Sequence, residues 1–316
     1  MCTPIAATIL PAMRSGVPSL LALFGPTAVA KTAVAIAVAD RLRARGERPV
    51  AVSADALQVY EGLAVLTGAP TAAERARLEH RLVGFVPVDA TFSAGQFARL
   101  AHAEIDALLA EGSTPIVVGG TGLYLRAALA DLNLRPPPPD ELRARLEGEL
   151  AAAGPEALHA RLARRAPWAA ARIDPRDRSR VVRALELLEL GELEPPDGPN
   201  RLWTADTRHP TRLVGLVRDR DDLYARIDAR VDAMVARGAV EEVRAAHRAG
   251  ASATARKALG FEELLAGDVE AMKRRTRNYA KRQLTWLRKL PGVELVRLTG
   301  GEPAEVAAEL LPDGAP

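Results

Sequence analysis

The feature that most constrains this chain is an octapeptide near its start, which consists of Gly25, Pro26, Thr27, Ala28, Val29, Ala30, Lys31 and Thr32. The apolar residues 18–24 before it predict a strand, and the Ala-rich residues 33–45 after it predict an amphipathic helix. A strand, a loop and a helix in this order are the context in which loop N–H groups and a helix N-terminus bind phosphate. The octapeptide therefore predicts a site for a polyphosphate or a pyrophosphate.

Two side chains of the octapeptide support this prediction, and one departure from the usual P-loop pattern weakens it. Lys31 adds a point charge to the phosphate site, and the hydroxyl of Thr32 is suited to hold Mg²⁺. Ala30 stands where a P-loop normally has its second glycine, so its Cβ either crowds the phosphate or strains the backbone. The alternative is an ordinary helix start in which Lys-Thr occurs by chance.

The composition sets the broad class of protein. The 316 residues are 48% hydrophobic and 26% charged, which is typical of a soluble globular protein with one large domain or two smaller ones. The single cysteine, Cys2, excludes an internal disulfide, and no run of 18 apolar residues is present to span a membrane. Residues 1–13 lack the basic segment of a signal peptide, so we expect a loose N-terminal tail, no membrane association and a cytoplasmic location.

The order of segments predicts an α/β fold. Apolar residues 49–53 and 115–118 predict strands, and residues 93–111 between them predict a helix, which is typical of a parallel, P-loop NTPase-like sheet flanked by helices. Residues 211–217 predict a further strand. Long helices are predicted over residues 222–249 and 270–290.

Two proline-rich segments, residues 135–140 and 192–200, interrupt this alternation. The Ala- and Arg-rich residues between them predict helices alone. We therefore expect the first part of the α/β core in residues 1–134, an inserted all-helical domain in residues 135–205, and the rest of the core, with basic C-terminal helices, in residues 206–316.

Three loops follow predicted strands of the core: the octapeptide, residues 53–58, and residues 119–122 with the sequence Gly-Gly-Thr-Gly. Because the carboxyl ends of parallel strands share one edge of a sheet, we expect Asp55 to lie beside the phosphate site. Its carboxylate is suited to bind Mg²⁺ or to accept a proton, and the alternative is a cap on the following segment. The loop at 119–122 lacks the acidic residue of a nucleotide-hydrolysing site, which argues against ATP hydrolysis.

A basic segment near the C-terminus predicts a nucleic-acid contact. Residues 271–293 contain no acidic residue and eight basic ones, which are Lys273, Arg274, Arg275, Arg277, Lys281, Arg282, Arg288 and Lys289. On a helix, Arg277, Lys281 and Arg288 would lie along one face, and the segment as a whole is able to bind phosphate groups. The alternative is a solvated face of an ordinary amphipathic helix.

The sequence as a whole resembles the tRNA dimethylallyltransferases. The matching segments run in the family order over nearly the whole chain, and they are residues 25–32, 53–60, 119–124, 180–186, 226–238, 258–263 and 276–288. Each segment alone is weakly specific, but seven in order make a specific match. The chain departs from the family pattern at Val29 and Ala30 (usually Ser-Gly), at Ala56 (usually Ser) and at Asp174 and Arg176 (commonly His and Asn).

The resemblance implies transfer of an isopentenyl group from dimethylallyl diphosphate to N6 of adenine 37, beside the anticodon, in tRNAs that read codons beginning with U. It implies that Lys31, Thr32, the loop amides, Mg²⁺ and Arg230 stabilise the departing pyrophosphate. Asp55 would be the general base, and Thr121 a hydroxyl that helps to position the diphosphate or the amine.

The resemblance also implies contacts with the tRNA anticodon stem-loop. The residues assigned to them are Asp55, Ala56, Leu57, Gln58, Thr121, Arg143, Ser179, Arg180, Val181, Val182, Arg183, Lys257, Gly260, Lys281, Arg282 and Gln283. We expect a monomer, because no exposed apolar repeat suggests a partner helix. No metal-ligand spacing is present among the five histidines.

Three other functions remain open from the sequence. An adenylate isopentenyltransferase acting on free AMP, ADP or ATP would share the loop and Asp55, but it would not need the helical insert or the basic segment. A small-molecule P-loop kinase would share the loop and the sheet, but it would need an acidic strand end to hold metal. A non-catalytic RNA-binding module with a decayed P-loop is supported only by Ala30.

Overall fold

A computed structural model describes residues 19–195 and 200–312, so the predicted tail at 1–13 lies outside the described residues. The sheet has six parallel strands in the order β3-β2-β4-β1-β5-β6. Their bounds are β1 Leu20–Phe24, β2 Pro49–Ser53, β3 His80–Arg81, β4 Thr114–Gly119, β5 Thr211–Val217 and β6 Glu294–Arg297.

The helices that the structure describes are α1 Lys31–Ala44, α2 Ala64–Thr67, α3 Ala72–Arg77, α4 Ala94–Ala110, α5 Gly122–Leu129, α6 Asp140–Arg165, α7 Pro167–Ala170, α8 Arg178–Glu189, α9 Arg220–Ala236, α10 Ala239–Arg248, α11 Phe261–Leu265, α12 Val269–Lys289 and α13 Pro303–Leu310. Two 3₁₀ turns cover Arg201–Trp203 and Ala255–Lys257. The predicted α/β class with a parallel, P-loop-like sheet is confirmed.

The chain divides into two compact units, each described here by itself. The sheet unit comprises the described residues of 1–131 and 205–316, and the helical unit comprises those of 132–204. In the sheet unit, β2 is buried along its whole length and β1 along most of it. Strands covered on both faces have to be apolar throughout, which is why these segments are continuous apolar runs and do not alternate.

The strand order brings the three predicted loops together. β4 pairs with β2 on one side and with β1 on the other, in parallel. The loops that follow β1, β4 and β2 therefore leave the same edge of the sheet from three adjacent strands. This edge carries the candidate site.

Two features of the sheet unit differ from the sequence predictions. The helix expected over 222–249 is two helices, α9 and α10, which meet at Gly238 with φ of +96°. Glycine adopts this left-handed conformation without a steric penalty, and it ends α9. The strands β3 and β6 were not predicted, because two and four residues are too few to show a periodic pattern.

The helical unit has an apolar core between α6 and α8 that includes Leu146, Leu162, Val181 and Leu185. A carboxylate, Glu186, is 1% exposed beside this core, and the guanidinium groups of Arg143 and Arg183 pair with it at 2.9 and 3.0 Å. None of the described helices is long and apolar enough to cross a membrane.

Candidate active site

The loop between β1 and α1 adopts a strained conformation. Ala28 and Ala30 have φ of +64° and +84°, a region that residues with a Cβ rarely occupy. Ala30 precedes the first residue of α1, at the position where a glycine would carry no such penalty. The loop therefore keeps the P-loop path although its second glycine is absent.

Basic side chains bind the carbonyl groups of this loop. Lys31 Nζ donates to the carbonyls of Gly25 and Pro26, both at 3.0 Å. The carbonyls of Val29 and Ala28 accept from Arg218 Nε at 3.3 Å and from Arg226 Nε at 3.1 Å. The N–H groups of Ala28 and Ala30 make no hydrogen bond within residues 19–195 and 200–312. Free N–H groups beside a helix N-terminus are donors for an anion.

A cavity of about 510 Å³ opens at this edge of the sheet. Its polar lining includes Thr27, Lys31, Thr32, Asp55, Gln58, Glu74, Arg230, Tyr279 and Gln283. Three predicted catalytic residues, Lys31, Asp55 and Arg230, therefore face one space. Its volume is ample for a small organic diphosphate.

Three cations line the cavity without a carboxylate partner among the described residues: Lys31, Arg230 and the exposed Arg237. Neither Lys31 nor Arg230 forms an ion pair with any carboxylate in the described part of the chain. Burial lowers the pKa of the Lys31 ammonium to about 8, with nearby Asp55 opposing this change and Arg230 adding to it. Burial, and then Arg237, also lowers the pKa of Arg230. Lys31 and Arg230 are poorly compensated, so they favour an anionic ligand.

Gly68 creates the space that Arg230 occupies. A Cβ on Gly68 would lie 1.7 Å from Arg230 Nη2, and the Gly68 carbonyl accepts from the same nitrogen at 3.3 Å. The buried Nε of Arg230 has no hydrogen-bond partner among the described residues. A buried donor atom without a partner, on a cation that lines a cavity, indicates a site that a ligand completes. Gly68 was not predicted from the sequence.

Asp55 lies beside these cations at the end of β2. Its Oδ1 accepts from the N–H groups of Leu57 at 3.0 Å and Gln58 at 3.4 Å, so one carboxylate oxygen caps the following turn, as the structural alternative predicted. Oδ2 makes no hydrogen bond with any residue in the described ranges. The carboxylate thus has a fixed orientation and a free oxygen, which suits a group that accepts a proton.

Thr121 approaches the same region from the loop after β4. Its Oγ1 lies 3.3 Å from the hydroxyl of Tyr279 and accepts from the Ala56 N–H at 3.4 Å. Burial, and then the charge of Asp55, raises the pKa of Tyr279 to about 12, so this phenol is protonated at neutral pH. A neutral phenol can donate to Thr121 and leave the threonine hydroxyl to act toward a ligand.

The Gly-Gly-Thr-Gly loop depends on close approach. A Cβ on Gly119 would lie 2.2 Å from the carbonyl oxygen of Ala54, and one on Gly122 would lie 2.2 Å from the Trp286 ring. These glycines bring the loop against the residue before Asp55 and against α12. The glycines of this loop therefore serve close packing, since a residue with a side chain at either position would overlap its neighbours.

The other residues of the sheet unit that were predicted to contact tRNA differ in exposure and in hydrogen bonding. The side chain of Gln58 donates to the Gly68 carbonyl at 3.2 Å and accepts from the Ser53 hydroxyl at 3.1 Å. Lys257 is exposed, whereas Gly260 is buried with φ of +96° against Met272. Gln283 is buried and bridges two loops, a role that the sequence did not reveal.

The basic helix α12 divides into paired and exposed cations. Lys273 pairs with Asp232 at 2.8 Å, Arg275 pairs with Glu263 at 2.6 Å, and Arg277 pairs with Asp228, so acids from other segments neutralise part of the tract. Lys281 and Arg282 are exposed and have no carboxylate partner in the described chain. These two side chains are available to an external polyanion.

In the helical unit, the predicted tRNA contacts fall into three groups. Ser179 and Arg180 are exposed at the start of α8. Arg143 and Arg183 are held by Glu186, as described above. The side chains of Val181 and Val182 are buried at 0% and 7% exposure, so they stabilise the helix and do not face solvent.

The side chains of the cavity could bind Mg²⁺ only if a bound ligand supplied further oxygen atoms to the ion. The described residues contain no group of three or more His, Cys, Asp or Glu side chains able to hold a metal by themselves. Thr32 and Asp55 line the cavity beside the free loop amides, however. Mg²⁺ commonly binds through one or two protein oxygens, substrate phosphates and water, which agrees with this arrangement.

Comparison with known proteins places this site in context. The family model described as IPP transferase matches residues 58–290. A tRNA dimethylallyltransferase of Anaeromyxobacter dehalogenans is 46% identical over 288 residues, which cover 87% of this chain and 93% of the relative. One from Thermobifida fusca is 41% identical, with coverage of 87% and 88%.

Solved structures of the same kind of enzyme are also similar to this chain. The tRNA isopentenylpyrophosphate transferase of Bacillus halodurans superposes with a TM-score of 0.66 at 32% identity, covering 92% of this chain and 93% of that one. A eukaryotic dimethylallyltransferase acting on tRNA has a TM-score of 0.69 at 24% identity, covering 89% and 74%, and it supports the fold.

The strain at Ala30 generates a prediction. Ala30→Gly should tighten the binding of pyrophosphate by about 1 kcal/mol or less, because glycine adopts the left-handed conformation freely. Isothermal titration with Mg²⁺-pyrophosphate measures the change. Ala37→Gly, a control in the body of α1, should leave affinity unchanged and lower stability by about 1 kcal/mol. Weaker binding by Ala30→Gly would show that the loop has adapted to the methyl group.

Proposed function

The chain belongs to the IPP transferase family, and we propose that it transfers the dimethylallyl group of dimethylallyl diphosphate to N6 of adenine 37 in tRNAs that read codons beginning with U. Prenyl transfer to tRNA is the activity of the family. One observation carries the assignment to this site: two partly buried cations, Lys31 and Arg230, face the same cavity as Asp55 and have no carboxylate partner in the described chain.

The cations and the loop amides act on the leaving group. As the bond between the allylic carbon and the diphosphate oxygen breaks, negative charge develops on pyrophosphate. Lys31, Arg230 and the N–H groups of the octapeptide, residues 25–32, are preorganised donors for this charge. A bound anion also raises the pKa of Lys31 from about 8, so the ammonium is fully charged when it is needed.

Asp55 acts on the nucleophile. The adenine amine has a lone pair delocalised into the ring, and it must lose a proton as its bond to the allylic carbon forms. The free Oδ2 of Asp55 accepts that proton, while Oδ1 stays anchored to the backbone. Thr121, oriented by Tyr279, hydrogen-bonds the incoming amine or the diphosphate.

We propose that Thr32 would hold Mg²⁺ together with the substrate phosphates, where the ion would neutralise charge on the leaving pyrophosphate. No step of the proton transfer needs the ion. This proposal follows from the donor set of the cavity.

tRNA binding requires the target base to leave the stack of the anticodon loop. In the sheet unit, we propose Lys257, Lys281 and Arg282 as contacts to the RNA backbone, because they are exposed. In the helical unit, exposed Ser179 and Arg180 are the corresponding candidates, and Arg143 and Arg183 would contact RNA while held by Glu186. Asp55, Ala56, Leu57, Gln58, Thr121 and Gly260 remain proposed contacts around the flipped base. We propose that the chain acts as a monomer.

The site argues against the competing functions. A kinase would need an acidic residue in the loop after β4, where Gly119 and Gly120 instead approach Ala54 and Gln283 closely. Transfer to a free adenine nucleotide would use the same cavity, but it would leave the exposed Lys281 and Arg282 without a function.

The experiment is an assay of radiolabelled dimethylallyl transfer to unmodified tRNA, with AMP, ATP and water as competing acceptors. We expect label only in RNA, at the adenine beside the anticodon. Faster labelling of AMP or ATP would show that the acceptor is a free nucleotide. Label in none of the acceptors would contradict prenyl transfer.

Replacing the proposed base tests its role. Asp55→Asn should lower kcat by about 10² or more, because an amide keeps the shape but cannot accept the proton. The affinity for tRNA should change little. Single-turnover kinetics separate the two effects.

Glu74→Gln supplies a matched control for Asp55→Asn. Glu74 lines the same cavity but serves in the capping box of α3, a role that glutamine also fills. Its kcat should stay within threefold of the parent value. An Asp55→Asn rate within the same range would remove Asp55 from the role of base.

The exposed cations of α12 generate a further prediction. Lys281→Gln combined with Arg282→Gln should weaken tRNA binding and flatten its salt dependence, by about 0.7 to 0.9 per lost contact in the slope of log K against log salt. Lys273→Gln with Arg275→Gln removes equal charge from residues paired with acids, so it should change the slope less. Equal salt slopes for the two double variants would show that tRNA binding depends on net charge alone and not on Lys281 and Arg282 as contacts.

A further inference from the structure

The buried face of α12 carries two polar side chains one turn apart that bond to loops of the site. The Tyr279 hydroxyl lies 3.3 Å from Thr121 Oγ1. Gln283, 4% exposed, accepts from the Thr27 N–H through Oε1 at 2.8 Å and donates to the Gly120 carbonyl through Nε2 at 2.7 Å. Both ends of the Gln283 amide are therefore used, and its orientation is fixed.

The two partners of Gln283 belong to loops with different tasks. Thr27 lies in the loop that carries Lys31 and is proposed to hold the diphosphate. Gly120 precedes Thr121, and its neighbour Gly119 packs on Ala54, next to the proposed base. No backbone hydrogen bond is present between Thr27 and Gly120, so the side-chain amide supplies the link between them.

We propose that Gln283 is a positioning residue for prenyl transfer: its amide fixes the distance between the loop that holds the leaving group and the loops that present Thr121 and Asp55. This inference rests on the proposed function of the cavity. The sequence assigned Gln283 to tRNA, as a neighbour of Lys281 and Arg282. The burial of its amide and the use of both its polar atoms favour the positioning role.

The two roles differ in which constant they change. A positioning residue acts in the transition state, where a displacement of about 1 Å can lower the rate by about 10². Gln283→Ala should therefore lower kcat tenfold or more with both substrates saturating, and it should change the Kd for an anticodon stem-loop RNA less than twofold. A direct tRNA contact would instead raise this Kd while kcat at saturation stayed near the parent value.

Leu287→Ala is the control for a general defect in α12. Leu287 is 2% exposed one turn beyond Gln283 and packs toward Gly215, and it does not line the cavity. This variant should lose thermal stability and keep kcat within twofold of the parent. A loss of kcat equal to that of Gln283→Ala would show that Gln283 acts only through stability of the helix, and would overturn the proposal.

Gly120→Ala disturbs the same contact from the opposite side. Its Cβ would lie 2.4 Å from Gln283 Nε2, so the amide has to move. We expect Gly120→Ala to lower kcat at least tenfold in the parent chain and less than threefold in the Gln283→Ala chain, where the overlap is absent. Such non-additivity identifies a shared contact. If Gln283→Ala is too unstable to purify, Gly120→Ala alone should show the loss of kcat with unchanged Kd.

The outcomes separate this inference from the proposed function. Absence of transfer by the parent chain contradicts the proposed function. Transfer by an active parent, together with a Gln283→Ala kcat within twofold of it, contradicts the positioning role alone. A raised Kd for the RNA with kcat at saturation near the parent value would overturn the positioning role and restore the direct tRNA contact.

Discussion

The site depends on two partly buried cations, Lys31 and Arg230, that face one cavity and have no carboxylate partner among the described residues. Burial of unpaired charge is unfavourable, so the surrounding structure has to hold each side chain in place. The carbonyls of Gly25 and Pro26 hold Lys31, and Gly68 leaves room for Arg230 where any Cβ would overlap it. The arrangement favours the binding of an anion, and we propose that this anion is the diphosphate of the substrate.

Asp55 lies near both cations without pairing with either, and this separation affects how basic its carboxylate is. Asp55 is close enough to influence the pKa of Lys31 but forms no direct ion pair with it or with Arg230. A direct ion pair would stabilise the charged carboxylate and make it a weaker base. Its anchor is instead a pair of backbone N–H groups on one oxygen, which leaves the other oxygen free for the proposed proton transfer. The same separation leaves both cations available to an anionic ligand, which we propose is the diphosphate leaving group.

Local pattern was enough to predict the strands β1, β2, β4 and β5, and the common edge at which the loops after β1, β2 and β4 meet. Asp55 and Lys31 could be placed together because parallel strands align their carboxyl ends. The bridge from Gln283 to Thr27 and Gly120 could not be predicted, because it joins residues 256 and 163 positions apart through side-chain geometry. The contacts of Arg218 and Arg226 with the loop carbonyls are long-range in the same way. The tRNA contacts remain predictions from family resemblance.

The most direct test of the central claim is the thermal unfolding of Arg230→Met with and without dimethylallyl diphosphate and Mg²⁺. Methionine has a similar volume and removes an unpaired, partly buried charge, so the free variant should unfold at the parent temperature or above it. The diphosphate should raise the Tm of the parent, since it binds the folded state, and should raise that of the variant far less. A free variant that unfolds below the parent, yet gains as much from the diphosphate, would contradict the account.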